Sequence, residues 1–301
     1  MTDQTSIFTL THSKSGSQCK IHSYGATVIS FKAGAEGREC LFLSRDAKMD
    51  GSKAIRGGIP LVFPQFGQPD KSMPQHGFLR RNTWTQLQAF DDDEAAGVSY
   101  QLALKSVQEA RGGIWAEDTA FDCVCTYDIK ITPTKMITTL SFENTGDKAF
   151  EFQTLQHTYF HVDDHAAYDP TKCFVKGLEG YNLVDKIDSA NTGKICGSDS
   201  VVLDALTDRV YEPPSGTNKV DVAVGVGGSA GTVKMVATGT VDGKEVPVSC
   251  VVWNPFKDNA ASMSDFGDDQ YVDMICVEPG ILGSPTLEPG KVAKLCQEIE
   301  V

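Results

Sequence analysis

The chain has 301 residues, 41% of them hydrophobic, which is ample for a buried core and too much for a disordered segment. Its formal net charge of −13 disfavours nucleic acid and anionic membranes as partners. An anionic small molecule would need a local basic island. No apolar run approaches the ~20 residues of a membrane helix. The start, Met1 to Ser6, lacks a basic patch followed by an apolar stretch, so no signal peptide is expected and a cytoplasmic location is. Nine scattered cysteines contain no Cys-x-x-Cys spacing, so they read as free thiols in a reducing compartment and not as zinc ligands.

In chain order, the first predicted element is a short helix near Asp46–Asp50. Asp91–Glu94 reads as a hairpin tip. It precedes a strand over Val98–Leu104, with Val98, Tyr100, Leu102 and Leu104 on one face. Phe121–Ile131 alternates in the same way and points Cys123 and Cys125 to one face. Met136–Phe142 groups Met136, Thr138, Leu140 and Phe142. Asn144–Gly146 is a turn, and Phe150–Leu155 is a further strand. Gly225–Gly231 is a second tip. Asp242-Gly243 joins strands Thr232–Ala237 and Glu245–Trp253 in a tight hairpin, and a last short helix falls near Asn259–Phe266. The pattern predicts one all-β domain over residues 1–301, a large antiparallel β-sandwich with few short helices.

Five segments break the alternation. Ile55–Gly67 sets Arg56 before two glycines, and two stiffening prolines then bracket an apolar run, a pose suited either to a phosphate or sugar edge or to an ordinary surface loop. Met73–Trp84 gathers Gln75, His76, Arg80 and Arg81 with two aromatics, the mixture a sugar's apolar faces and hydroxyl edges require; a structural histidine is the plain alternative. Between Lys53 and Arg81 the charged residues are Lys53, Arg56, Asp70, Lys71, Arg80 and Arg81, five positive against one negative. Leu155–His165 repeats histidine at 157, 161 and 165, but Thr158 stands where a zincin needs glutamate, and the preceding alternation is that of a strand. His157 therefore suits general acid catalysis, His161 a place lining the site, and His165 the surface. Leu206–Tyr211 offers Asp208, to orient a hydroxyl or to pair with a surface arginine. Met274–Gly280 runs an apolar strand into Glu278; desolvation there would raise its pKa and suit it to proton transfer. Trp253-Asn254-Pro255-Phe256 and Ser264-Asp265-Phe266 are ring-packing and support elements. No P-loop, dinucleotide fingerprint or Gly-x-Ser-x-Gly elbow occurs.

Taken in order, Arg-Gly-Gly-Ile-Pro with Phe-Pro-Gln-Phe-Gly, then Gln-His-Gly-Phe-Leu-Arg, His-Thr-Tyr-Phe, Thr-Asp-Arg-Val-Tyr, Val-Trp-Asn-Pro and Val-Glu-Pro-Gly resemble the glucose-6-phosphate 1-epimerases of the aldose 1-epimerase, or galactose-mutarotase-like, superfamily. The resemblance spans roughly residues 5 to 300. It implies a β-supersandwich, with His157 and Glu278 catalytic and Arg56, Gln75, Arg80 and Asp208 binding substrate. His76, Trp253 and Asn254 are further substrate-binding neighbours. It implies interconversion of hexose 6-phosphate anomers: Glu278 as carboxylate deprotonates the anomeric hydroxyl, protonated His157 donates to the ring oxygen, and the ring opens and recloses. A mutarotase for neutral aldoses and a non-catalytic carbohydrate-binding sandwich are the alternatives. No metal or other cofactor is expected. The expected partner is a small sugar phosphate, neither nucleic acid nor membrane, and the expected state is a monomer.

Overall fold

The computed structural model of the chain describes residues 6–105, 107, 122–228 and 231–301. Residues 1–5, Phe121 at the head of an expected strand, and Ser229 and Ala230 in the glycine-rich tip lie outside the described residues. Among those described, no helix is long and apolar enough to cross a membrane.

Strands dominate, and their named pairings are all antiparallel. The largest sheet has nine strands. Its spine runs from Val175–Lys176 through Lys219–Gly227, Gly231–Val241, Val292–Glu300, Lys135–Asn144 and Cys123–Ile131 to Ala96–Ala103 and Thr85–Asp91. The expected faces are the buried ones: Cys123, Cys125, Tyr127, Ile129 and Ile131 are out of water, as are Met136, Thr138, Leu140 and Phe142. The hairpin at Asp242-Gly243 forms with both residues at positive φ, 50° and 73°, the geometry that matches strand twist.

A seven-stranded sheet lies against this one. Its order is Asn182–Asp185, Thr207–Glu212, Ser249–Asn254, Met274–Ile281, Thr154–Gln156 and Leu61–Val62, with Tyr159–His161 also on Met274–Ile281. Alternation splits each strand between two environments. Ile275, Val277, Ile281, Cys250 and Val252 join Leu140, Phe142, Leu295 and Ile299 in the core between the sheets. Their neighbours Cys276, Glu278, Val251 and Trp253 point to the opposite face. Register then aligns that outer face, with Asp208 opposite Trp253, Trp253 opposite Cys276, Val251 opposite Glu278, and Tyr159 opposite Cys276.

Three expected elements differ. Glu245–Trp253 is not one strand: Lys244–Val246 pairs within the nine-stranded sheet and Ser249–Asn254 within the seven-stranded one. Pro247, lacking an N–H, marks the crossing. Phe150–Leu155 divides in the same way into Phe150–Glu151 and Thr154–Gln156. The Asp46–Asp50 stretch is a turn and coil, since Ser44 Oγ takes the Asp46 N–H in place of a helical partner. The later helix spans Phe256–Ser262, three residues earlier than expected, because Asn254 Oδ1 accepts the Phe256 N–H at its start.

Candidate active site

Glycine first fixes the loops that flank the outer face of the seven-stranded sheet. Gly58 sits at φ +66° with Val28 O only 2.0 Å from where a Cβ would be, so any other residue would force the loop off its neighbour. Gly77, at φ +69°, lies as close to Phe63 O, at 1.9 Å. The first contact anchors the stretch after Arg56. The second anchors the one between His76 and the 3₁₀ turn Leu79–Arg81.

Two adjoining chambers result. The inner one, about 380 Å³, is bounded by His157, Glu278, His76, Trp253, Asp208 and Lys186. The outer one, about 350 Å³, is bounded by Lys53, Arg81, Tyr159, Ser264 and Asp265. Arg56, Gln75, Arg80 and Met263 line both. The basic island expected from the sequence thus closes around one space, with Lys53, Arg56, Arg80 and Arg81 on its walls. Neither Asp70 nor Lys71 lines it.

The inner chamber is built on rings. His157 stacks on Tyr159 at 4.8 Å and 11°, and Trp253 meets both edge-on at 6.0 Å. His157 Nδ1 is 3.3 Å from Glu278 Oε1, and Glu278 is 1% exposed. Nδ1 and Glu278 Oε2 are both buried without a hydrogen bond. Burial first, then the nearby Asp208 carboxylate, pushes the Glu278 carboxyl well above its ordinary range. Burial, then Arg80 and Arg56, pushes His157 well below its own. Both shifts push the pair towards a neutral carboxyl on Glu278 and a neutral imidazole, against the carboxylate and protonated histidine that the expected mechanism uses. His76 is likewise held neutral, by burial and then by Arg80. Its Nδ1 accepts the Gly67 N–H at 3.2 Å, which leaves Nε2 carrying the hydrogen as a donor.

The two shared arginines differ in their partners. Arg56 donates to Tyr159 Oη at 3.3 Å and to Asp265 Oδ2 at 3.4 Å. Burial works against its charge, but Tyr159 and Asp265 raise its pKa overall. Arg80 donates to the Gln75 carbonyl at 3.0 Å and, among the described residues, has no carboxylate in ion-pair range. Burial, then the Arg56 charge, brings it down to about 10, so it stays cationic at neutral pH. The Nε of each arginine is buried and unbonded.

Of the residues expected from sequence, His157, Glu278, Arg56, Gln75, Arg80, Asp208, His76 and Trp253 meet at these chambers. Asn254 does not. It is fully buried, with Oδ1 accepting from Tyr168 Oη and the Phe256 N–H and Nδ2 donating to the Tyr271 and Met274 carbonyls, so its amide is spent on structure. His161 also misses the site. It lies beside Asp163 at 3.3 Å and lines a separate cavity with Ile29 and Leu41. His165 is exposed and paired with Asp273, as a surface residue would be.

Tyr159 and Lys186 are among the wall residues that escaped the sequence analysis. Tyr159 lies two residues after His157, and extended-chain alternation alone would have placed it beside the histidine. Lys186, 3.5 Å from Asp208 and over the Phe66 ring at 3.9 Å, carries no local signal.

Among the described residues, one group could offer ligands to a metal: His157, Cys276 and Glu278 place donor atoms within 4.8 Å of one another. The surroundings fit a cation poorly. Burial raises both the Cys276 thiol and the Glu278 carboxyl well above their ordinary ranges, and Arg56 and Arg80 bring two positive charges to the same space.

A β-sandwich with a buried imidazole–carboxyl pair on one sheet face, beside a cationic chamber, is a frame on which a sugar epimerase can be built. The chain belongs to the aldose 1-epimerase family, whose model matches residues 6–300. Over 284 residues it is 31% identical to a protein of Cenchrus ciliaris named "Putative glucose-6-phosphate 1-epimerase", covering 90% of this chain and 78% of that one. The fold matches the crystal structure of "a putative mutarotase (YeaD)" from Salmonella typhimurium, with TM-score 0.76 and 21% identity over 100% of this chain and 92% of the other. It also matches a galactose mutarotase-like protein from Lactobacillus casei, with TM-score 0.66 and 16% identity over 98% and 99%.

Proposed function

We propose that this chain interconverts the α and β anomers of a hexose 6-phosphate, with glucose 6-phosphate foremost. The observation that carries this is the sharing of Arg56 and Arg80 between the acid–base chamber and the cationic outer chamber. A six-carbon sugar bound across the two puts C1 at one end and its phosphate at the other. The name of the Cenchrus ciliaris relative supports the same substrate.

In this mechanism the ring lies against Trp253. His76 Nε2–H and the Asp208 carboxylate hold its hydroxyls, and Arg56 and Arg80 take the phosphate. Glu278, as carboxylate, takes the proton of the C1 hydroxyl. That O–H electron pair forms the C1 carbonyl as the C1–ring oxygen bond breaks. The ring oxygen collects the proton of His157 Nε2, the nitrogen turned away from Glu278. Rotation about C1–C2 and the reverse transfers close the ring with the other configuration. Both proton transfers are internal to the pair and the sugar, so each turnover restores the starting state. A positioned acid and base contribute about 10²–10⁴-fold each.

NMR exchange spectroscopy on equilibrated glucose 6-phosphate, beside free glucose and galactose, tests the proposal. Faster exchange of the anomeric protons of the phosphate sugar is expected. Acceleration confined to the free sugars would assign the site to neutral aldoses, and none for any sugar would leave a binding module.

A further inference from the structure

We propose that the anion held in the outer chamber activates the chemistry as well as tethering the substrate. A free dianion bound there will accelerate anomer exchange of a sugar that has no phosphate of its own. The inference rests on the function proposed above.

The geometry that supports it is the double service of the two guanidiniums. Arg56 and Arg80 form the partition between the chambers, so a charge placed on one side of them is felt on the other. Arg56 reaches the histidine through a short chain, Nη1 to Tyr159 Oη at 3.3 Å and the Tyr159 ring stacked on His157 at 4.8 Å. Among the described residues, Arg80 has no carboxylate in ion-pair range, and the Nε of each arginine is buried without a partner. The charged and titratable groups facing His157 are Arg80, Arg56, Lys186, His76, Tyr159, Cys276 and Glu278, with Asp208 behind the last and Asp265 behind Arg56. Three cations thus oppose a proton on His157. Arg80 and Lys186 also favour the Glu278 carboxylate, whereas Arg56 bears on the histidine, so a dianion that offsets Arg56 and Arg80 relieves His157 more than it disfavours ionised Glu278, and the proton on Glu278 can cross 3.3 Å to His157 Nδ1. That crossing converts the neutral pair into the carboxylate and imidazolium that ring opening uses. Binding energy from the non-reacting end of the substrate is thereby spent at the reacting end.

Sulfate is the probe, being dianionic yet too weak a base to catalyse mutarotation itself. Xylose is the sugar, because without C6 it leaves the outer chamber open. The expected result is a saturable rise of about tenfold or more in enzyme-catalysed xylose anomer exchange, since each unit of pKa moved is worth a factor of ten. The same sulfate should inhibit glucose 6-phosphate turnover competitively, and Arg80→Ala should lose the sulfate response of xylose. With the His157 ring isotopically labelled, sulfate should shift its NMR signals towards the protonated form. Turnover of glucose 6-phosphate that sulfate inhibits, with no gain for xylose and no change at His157, overturns the inference and leaves the proposed function standing. No turnover of glucose 6-phosphate overturns both.

Discussion

His157 Nδ1 lies 3.3 Å from Glu278 Oε1, both side chains are out of water, and neither is aligned to hydrogen-bond the other. Two groups so close titrate as a pair, and their surroundings decide which of them holds the shared proton more tightly. The site's chemistry and its pH behaviour both follow from that balance.

Glu278→Gln removes the base and keeps the shape. Turnover of glucose 6-phosphate should fall by at least about 10²-fold, while the variant still binds the sugar in calorimetry. Stability should move the other way. Glu278 is protonated in the fold and ionised in the unfolded chain above its ordinary value of 4.5. The folded state therefore binds the extra proton, and stability is lost as pH rises from 4.5 through the raised folded value. The glutamine has no such loss. Thermal melts should show it more stable than the parent at pH 7–8, with the gap closing towards pH 4. A variant that stays near the parental rate would remove Glu278 from the mechanism.

Arg80 has only a backbone carbonyl for a partner, so truncating it breaks no side-chain pair. Arg80→Ala should raise KM for glucose 6-phosphate far more than it alters turnover of free glucose. Equal effects on the two sugars would take the phosphate out of the outer chamber.

Lys186 favours the ionised form of Glu278 and Asp208 opposes it, while Lys186 and Asp208 pair at 3.5 Å. Lys186→Met keeps an apolar stem over Phe66 and removes the charge. The Glu278 pKa should rise further, so the alkaline limb of the kcat/KM profile, where the pair loses its shared proton, should move to higher pH. An unmoved limb would mean that another group sets it.

Asn254 uses its whole amide inside the protein. Asn254→Ala should cost about 1–3 kcal/mol in denaturant unfolding for the buried partners it strands, with KM for the sugar little changed below the midpoint. A KM effect without a stability effect would return this residue to the substrate.

Local pattern was enough for the parts that depend on near neighbours. Alternation along Cys123–Ile131 and Lys135–Asn144 gave the buried faces, because a pleated strand bordering a core must place every second side chain in it. Asp242-Gly243 gave its hairpin, because few dipeptides tolerate two positive φ values. The order of motifs from Arg56 to Glu278 supplied the family and eight residues of the site. The breaks at Pro247 and after Glu151 were less legible, since which sheet a strand joins is settled by partners far along the chain. Tertiary structure alone put Lys186 beside Asp208, took Asn254 and His161 out of the site, and joined two chambers through Arg56 and Arg80. It also decided where the proton rests. A sequence names a histidine and a glutamate, but desolvation and the charges of Arg80, Arg56 and Asp208 act through space, and only the packed sheet face sets those distances.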